Sequence, residues 1–268
     1  MKFPLQKHRA RRWFALALLA QSSASFAATL SLTATEDTSI FSGHPNGNIG
    51  GSTLVAGTNQ QNAWIGRAMF RFDLSVIPAG AIIDSAEVTL SVVTIPDPMQ
   101  HGGPQNSDFG LYRLLVSWGE GVGVNVIGLS PPAAGDATWI SRHHGSDLWK
   151  SPGGAADDGL DEMEDYVGSA SSSAFVTGLG DFAFGSTPST VADAQLWLDN
   201  PALNFGFMLI SSSEGIAGTG RRFASTEISS PGTPPTLQLS YTVVPEPSVM
   251  GLAFVGLLGL GSRRRVRG

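Results

Sequence analysis

Short runs of alternating apolar and polar residues dominate the middle of the chain. Successive side chains of a strand point to opposite faces of its sheet, so this alternation predicts strands with one buried face. Residues that favour turns fill the segments between the runs, for example 42–52 and 96–107. The clearest runs are residues 29–35, 68–73, 85–94, 109–116, 204–210 and 236–243. The pattern predicts an all-β domain of about eight to twelve mostly antiparallel strands, either a sandwich or a barrel.

Helical periodicity is weak throughout the chain. Residues 192–199 alone have a pattern that allows one short helical turn, directly before the loop at Pro201. A predominantly β domain with at most one short helix is therefore the expectation.

The first 27 residues have the three parts of a secretory signal peptide. A basic segment over residues 2–12 precedes an apolar run at 13–20. Ser25-Phe26-Ala27 places small residues at the two positions that a signal peptidase reads, so we expect cleavage after Ala27. The apolar run is much shorter than the ~20 residues that a spanning helix needs, which favours a cleaved signal over a membrane anchor.

Residues 244–268 place three further features in order. Pro245-Glu246-Pro247 precedes an apolar run at 249–260, and Arg263-Arg264-Arg265 follows it. By the positive-inside rule the arginines stay in the cytoplasm and the Pro-Glu-Pro motif faces outward. The apolar run is short and contains three glycines, which favours a transient membrane insertion over a lasting transmembrane helix.

These three features in this order resemble the PEP-CTERM sorting signal. The resemblance implies that an exosortase recognises the tail and cuts near Pro245-Glu246-Pro247. It also implies export to the cell surface, outer envelope or extracellular matrix of a Gram-negative-type bacterium. An ordinary tail anchor is the alternative.

Charge and cysteine content exclude several classes of function. The chain has no cysteine, so neither disulfides nor thiolate chemistry contribute. Most basic residues lie in the two terminal segments, which leaves residues 28–243 with seven Lys and Arg against 21 Asp and Glu. An acidic domain of this kind repels phosphate backbones, so we expect no nucleic-acid partner.

Several segments of the middle domain occur in a familiar order. They are Glu36–Ile40, Arg67–Leu74, Leu111–Arg113, Trp118–Glu120, Ala137–Trp139, Asn204–Gly206 and Phe223–Glu227. In this order they resemble the DNRLRE-type domain, which is related to a carbohydrate-binding module family found beside polysaccharide lyases. The resemblance implies a jelly-roll-like antiparallel β-sandwich over residues 28–243 that is not catalytic and associates with surface polysaccharide. Loop 96–107 and segment 155–173 depart from the pattern.

Tryptophan side chains are the candidates for sugar binding, because an aromatic face offers a flat apolar platform. The candidates in the middle domain are Trp64, Trp118, Trp139, Trp149 and Trp197. Trp118 and Trp139 adjoin predicted strands and are expected in the core. Trp149 lies between Asp147 and Lys150 in a polar loop, so we expect it to be exposed and to be the ligand-binding residue.

Oxygen-rich loops are the candidates for metal binding. Asp37 with Asn46 and Asn48 forms one such group, and Asp157 with Asp158 forms another. Carboxylate and amide oxygens suit Ca²⁺, although the acidic run with Asp157 and Asp158 does not follow EF-hand spacing and has a solvated loop as its alternative. A structural calcium ion is therefore the one cofactor that the sequence allows.

Motifs for catalysis are sparse. His143 and His144 with Asp147 have suitable types of metal ligand, but adjacent residues on a strand point to opposite faces, which favours a solvated loop. The chain has no Gly-x-Ser-x-Gly elbow and no P-loop. We therefore expect a protein that is not an enzyme.

Together these patterns predict an exported, non-catalytic surface or matrix protein. Its expected partners are a signal peptidase, an exosortase and an extracellular polysaccharide. A purely structural or adhesive matrix protein without sugar affinity is one alternative, and a polysaccharide-degrading enzyme is another.

Overall fold

Twelve strands and one α-helix are present in the part of the chain that the structure describes. The structure is a computed structural model, and it describes residues 26–124, 130–156, 164–228 and 230–243. The strands are β1 (Phe26–Phe41), β2 (Leu54–Thr58), β3 (Ile65–Phe72), β4 (Ile82–Thr94), β5 (Ser107–Arg113), β6 (Ser141–His143), β7 (Asp147–Leu148), β8 (Ser172–Val176), β9 (Gly180–Phe184), β10 (Phe207–Ser211), β11 (Arg221–Phe223) and β12 (Thr236–Val243). The helix α1 spans Pro188–Asp199, and a 3₁₀ turn follows at Pro201–Leu203. The predicted all-β class is confirmed.

The strands form two antiparallel layers that share β1. Its first half pairs with β12, and its second half pairs with β3 after a register shift between Ala34 and Glu36. One layer contains β12, β4, β9 and β11, and the other contains β3, β10, β5 and β8. Strand β2 pairs with β11 of the first layer and with β3 of the second. Since all pairings between these strands are antiparallel, the architecture is an antiparallel β-sandwich.

The layer that contains β3 and β10 is buried on both faces. On β3, Phe70 and Phe72 belong to the main core between the layers, whereas Met69 belongs to a second core on the outer face. On β10, Phe207 points to the main core and Met208 to the second core. The two-residue period of a strand therefore explains why β10 begins with the continuous apolar run FMLI.

A long connection after β5 covers this outer face. It contributes Trp118, Trp149 and Tyr166 to the second core, and it contains the small hairpin of β6 and β7. The connection therefore forms a cover over one face of the sandwich, and its apolar side chains are structural.

Helix α1 is longer than the predicted turn at 192–199. Thr187 and Thr190 form a reciprocal cap, in which the Thr190 N–H donates to Thr187 Oγ1 and the Thr187 N–H donates to Thr190 Oγ1. Pro188 occupies the first turn, where its missing N–H costs nothing. The helix places Ala194 and Trp197 in the main core, and it ends before Pro201.

Candidate functional site

Trp149 is buried, so the predicted exposure of this residue is wrong. Its side chain is 4% exposed and belongs to the second core, and its Nε1 donates to the Thr138 carbonyl over 2.8 Å. Leu148, the preceding residue, is instead 67% exposed. Successive side chains point to opposite sides of the backbone here, and the Trp149 side chain is the one that faces the apolar outer side of β3 and β10. It therefore has no free ring face for a sugar.

Trp118 lies in the second core, as predicted, and its Nε1 donates to the Phe205 carbonyl over 2.8 Å. Trp139 is partly buried against the same core, with the Arg67 guanidinium carbon 5.7 Å from its ring centre. Both side chains stabilise the cover over the second layer.

A cavity of the sandwich lies beside Trp64. It has a volume of about 510 Å³ and lies between the turn from β2 to β3, the end of β4 and strand β11. We call it the Trp64 groove; among its lining residues are His44, Asn62, Ile95 and Arg222. The site thus combines an indole with amides and a guanidinium.

Local packing holds the Trp64 ring in place. The ring meets His44 edge to face at 4.8 Å between ring centres, and it meets Phe41 edge to face at 6.0 Å. Asn59 Oδ1 accepts a hydrogen bond from the Trp64 N–H over 2.9 Å, which closes the turn. A Cβ atom on Gly43 would lie only 2.0 Å from the indole, so this position requires glycine. The half-buried ring is therefore preorganised.

Several polar side chains of the groove have no protein partner. Within the described residues, no hydrogen bond or ion pair involves the side chains of Gln61, Asn62 or Arg222. Gln60 is different, because its amide bonds Asp97 and Gln100 and so fixes the loop after β4. The run of four amides at residues 59–62, two positions before Trp64, is the sequence signal that points to this groove.

Arg221 also lines the groove, although its side chain is buried. It is 1% exposed, and its guanidinium donates to backbone carbonyls that include Gly218 and Gln105 at 3.1 and 2.9 Å. Burial lowers the pKa of this guanidinium below its usual value. Because strand residues alternate, Arg221 points inward and its neighbour Arg222 remains partly exposed.

Asp37 and Asn48 are not arranged as the predicted calcium site. The Asn48 amide makes four hydrogen bonds, to the carbonyls of Glu120 and Ala137 and from the N–H groups of Gly50 and Gly123. These four hydrogen bonds use both N–H donors and both lone pairs of the amide oxygen.

Asn46 is exposed. In the described ranges no group of three His, Cys, Asp or Glu side chains is placed to hold a metal ion. The other predicted group, Asp157 and Asp158, lies outside the described residues.

Asp37 is instead a fully buried carboxyl at the edge of the sandwich. Its Oδ2 accepts from the Thr226 N–H over 2.7 Å, and its own N–H donates to Glu120 Oε1 over 2.8 Å. Its Oδ1 is buried without a hydrogen-bond partner in the described structure. Burial raises the pKa of Asp37 from 3.8 to about 7, and the negative charges of Glu227 and Glu120 add to the rise.

The raised pKa of Asp37 predicts a specific pH dependence of stability. Between pH 4 and 7 the folded state binds more protons than the unfolded chain, so the free energy of unfolding falls as the pH rises through this range. The change from 3.8 to about 7 corresponds to at most about 4 kcal/mol. Asp37→Asn should remove this component, which urea titrations of both proteins at pH 5 and pH 8 will measure.

Asp165 and Asp193, whose pKa values burial also raises, are present in both proteins, so the comparison isolates Asp37. Calcium bound at Asp37 would lower its pKa and flatten the curve of the wild type only. Identical pH dependence in the two proteins without calcium would contradict the buried, protonated carboxyl.

The two histidines do not form a metal site with Asp147. His143 Nε2 lies 3.1 Å from Ser117 Oγ, and its Nδ1 lies 3.2 Å from the Gly135 carbonyl. Asp147 forms an ion pair with Arg142. Both ring nitrogens of His143 therefore have partners within the cover.

Two arginines of β3, Arg67 and Arg71, each form an ion pair with a carboxylate. Arg67 pairs with Glu214 at 2.7 Å, and Arg71 pairs with Glu36.

The predicted signal-peptidase site lies at the start of β1. Ala27 lies in the second position of β1, and the preceding Phe26 pairs with Val243 at the end of β12. Cleavage after Ala27 would therefore remove two residues from the end of β1. The sorting residues Pro245, Glu246 and Pro247 and the cluster Arg263-Arg264-Arg265 lie outside the described residues.

Comparison with known sequences identifies the C-terminal segment. Residues 243–265 match the PEP-CTERM protein-sorting motif, which confirms the predicted sorting signal. This motif indicates an exported protein that an exosortase sorts to the cell surface. No curated protein matches the chain. Among the described residues, no helix has the length and apolarity that crossing a bilayer requires, and the apolar run at 249–260 lies outside them.

Proposed function

We propose that this exported protein binds an extracellular polysaccharide in the Trp64 groove without cleaving it, and so associates with exopolysaccharide. The observation that carries the proposal is an open cavity of about 510 Å³ in which a fixed indole lies beside unpartnered polar side chains. A sugar ring has an apolar face and a hydroxyl edge, so it suits a site with a few polar groups beside an aromatic platform.

The charge of the groove supports a saccharide ligand that includes acidic sugars. Residues 28–243 hold seven basic side chains, and five of them form ion pairs with carboxylates. Arg221 is held by backbone carbonyls, which leaves Arg222 without a carboxylate partner in the described structure. A guanidinium of this kind can donate two hydrogen bonds to a hydroxyl pair or to a carboxylate.

The composition of the groove favours binding over hydrolysis. Most glycoside hydrolases need two carboxyl groups on opposite sides of the scissile bond. None of the described residues that line the Trp64 groove is Asp or Glu. This supports a non-catalytic role, in agreement with the DNRLRE-like resemblance of the domain.

The two processing steps belong to the same proposal. A signal peptidase cuts after Ala27, and the C-terminal apolar run inserts transiently in the membrane until the exosortase cuts near Pro245-Glu246-Pro247. The mature sandwich then resides at the outer surface or in the matrix of a Gram-negative-type cell. Two cuts beside the same end of β1 and β12 would leave the core intact.

Trp64→Ala should weaken polysaccharide binding at least about tenfold, because the ring supplies the stacking surface and a loss of 1.4 kcal/mol is tenfold in affinity. The measurement is affinity electrophoresis of the full-length protein in gels with and without the exopolysaccharide of the producing cells. The same measurement is repeated in gels that contain a neutral polysaccharide and in gels that contain a uronate-containing one.

Arg222→Ala provides a second variant, since this side chain has no partner that folding requires. It should also weaken binding, most strongly for the uronate-containing polymer. Leu148→Ala is the matched control, an exposed apolar residue on the β6–β7 hairpin. Unchanged retardation of both groove variants would reject the Trp64 groove. Absence of any retardation of the wild type would favour a purely structural matrix protein.

A further inference from the structure

Two adjacent arginines of β11 line the Trp64 groove, and only one of them can touch a ligand there. Arg222 is partly exposed, whereas Arg221 is 1% exposed and offers a ligand no direct hydrogen bond. An effect of Arg221 on binding therefore has to act through its charge, or through the backbone that its guanidinium holds.

The charge of Arg221 is not neutralised by any carboxylate in the part of the chain that the structure describes. Its Nη1 donates to the Gly218 and Gly220 carbonyls over 3.1 and 3.0 Å, and its Nη2 donates to the Gln105 carbonyl over 2.9 Å. Carbonyl dipoles satisfy these donors but have no net charge. Arginine stays protonated in proteins, so a full positive charge lies beneath the groove.

Other arginines with little exposed surface differ from Arg221 in this respect. Arg67 forms an ion pair with Glu214, and Arg113 forms one with Asp193. Enclosing a cation without a counter-ion costs free energy, and an anion bound nearby reduces that cost. A carboxylate in the groove would supply the opposite charge, and attraction to a buried charge is stronger than attraction between fully solvated groups.

Arg221 also fixes the turn from which Arg222 extends. The Thr58 carbonyl accepts hydrogen bonds from the N–H groups of Gly218 and Gly220 over 3.2 and 2.8 Å. The guanidinium of Arg221 binds the carbonyls of the same two glycines, so the turn before β11 is held from both sides. The start of β11, and with it the backbone of Arg222, is therefore fixed beside the groove.

We infer that Arg221 is a specificity-determining residue of the Trp64 groove, which selects saccharides that carry a carboxylate through a charge that the ligand does not touch. Arg222 provides the direct contact, and Arg221 attracts the same carboxylate from beneath and holds the wall of the groove. The inference rests on the proposed function, because it concerns the same groove. It goes further by assigning the preference for acidic over neutral sugars to a buried residue.

The first test leaves Arg221 in place and removes its neighbour. Affinity electrophoresis of the full-length protein at pH 8, where histidine carries little charge, compares the native exopolysaccharide of the producing cells with its carboxyl-reduced form. Reduction converts each carboxylate to an alcohol and keeps the sugar chain. The wild type should prefer the native polymer about tenfold, and Arg222→Ala should retain a preference of about threefold. Equal binding of the two polymers by Arg222→Ala would overturn the inference.

The second test changes Arg221 itself. Arg221→Gln removes the charge but keeps an amide donor for the carbonyls, so it should lower the affinity for the native polymer about tenfold and leave the affinity for the reduced polymer within about twofold. Arg221→Lys keeps the charge and should restore most of the preference. A purely structural role predicts instead that both variants lose affinity for both polymers equally, and that result would contradict the inference.

Arg71→Gln is the matched control for the second test. It removes the same charge roughly 20 Å away along β3, which is beyond the distance of about 10 Å over which exposed charges interact in 0.1 M salt. The preference for the native polymer should be unchanged in this variant. A loss as large as that of Arg221→Gln would show that net charge, and not the position of Arg221, sets the preference.

Failure of this inference differs from failure of the proposed function. If Trp64→Ala weakens binding of both polymers while Arg221→Gln keeps the preference of the wild type, the groove stands and the role of Arg221 is rejected. If Trp64→Ala and Arg222→Ala leave both affinities unchanged, the groove itself is rejected, and the inference is rejected with it.

Discussion

Replacing Trp149 with alanine will lower the free energy of unfolding by about 3–5 kcal/mol, the range for large aromatic residues in cores. The side chain is enclosed in the second core with Met69 and Met208, so its removal leaves a cavity. It also leaves the Thr138 carbonyl without the indole donor that it has at 2.8 Å. A loss of this size is a large part of the stability of an ordinary domain.

Urea denaturation of the full-length protein measures this loss. Leu148→Ala is the matched control, because the neighbouring side chain is exposed and should change the stability by less than about 0.5 kcal/mol. A Trp149→Ala protein as stable as this control would show that the cover does not pack on the second layer as described.

Exchange of Pro245 and Pro247 for alanine together will abolish C-terminal processing, so the chain will accumulate with its tail attached. Proline fixes its own φ and holds the preceding residue in an extended conformation, which presents the segment as an extended substrate. Strand β12 ends at Val243, directly before this segment. The match of residues 243–265 to the sorting motif contains both prolines.

Immunoblots of cell fractions will show the effect as a larger species that stays in the membrane fraction. Ser248→Ala, directly after the motif, is the matched control and should be processed normally. Normal processing of the double proline variant would mean that the exosortase does not read Pro-Glu-Pro in this chain. The sandwich itself should fold in both variants, because the substitutions lie beyond β12.

The sequence predicts the strands well where burial on one face produces alternation. Strand β12 was predicted at its observed bounds, and β4 within three residues at its start. These two strands pair with each other over many residues, so the alternation in their sequences reflects a regular alternation of buried and exposed side chains. The helix was underestimated because its first turn depends on the cap of Thr187 and Thr190, which an apolar pattern does not reveal.

The sequence does not predict which tryptophan is free, because that depends on contacts distant in the chain. Trp149 has polar neighbours, but it covers methionines on β3 and β10 that are far away in sequence. The ion pair of Arg67 with Glu214 spans 147 residues, and no local pattern connects them. The Trp64 groove was not predicted from the sequence, although its amides and its ring lie within six residues.

The calcium prediction shows the same limit in a different form. Asp37, Asn46 and Asn48 are close in sequence and have suitable oxygen atoms, but in the folded protein they do not share a binding site. Asn48 connects the turn after β1 to Glu120 and Ala137, and Asp37 is enclosed at the strand edge. The sequence shows which types of metal ligand are present, whereas the path of the backbone determines which of them lie close together.

Mass spectrometry of both termini of the protein recovered from cell surface and medium tests the central claim most directly. We predict a first residue of Ala28 and a last residue at or near Pro245–Pro247, with the arginine cluster absent. Recovery of the protein only from the cytosol, with both ends uncut, would contradict export and sorting by an exosortase.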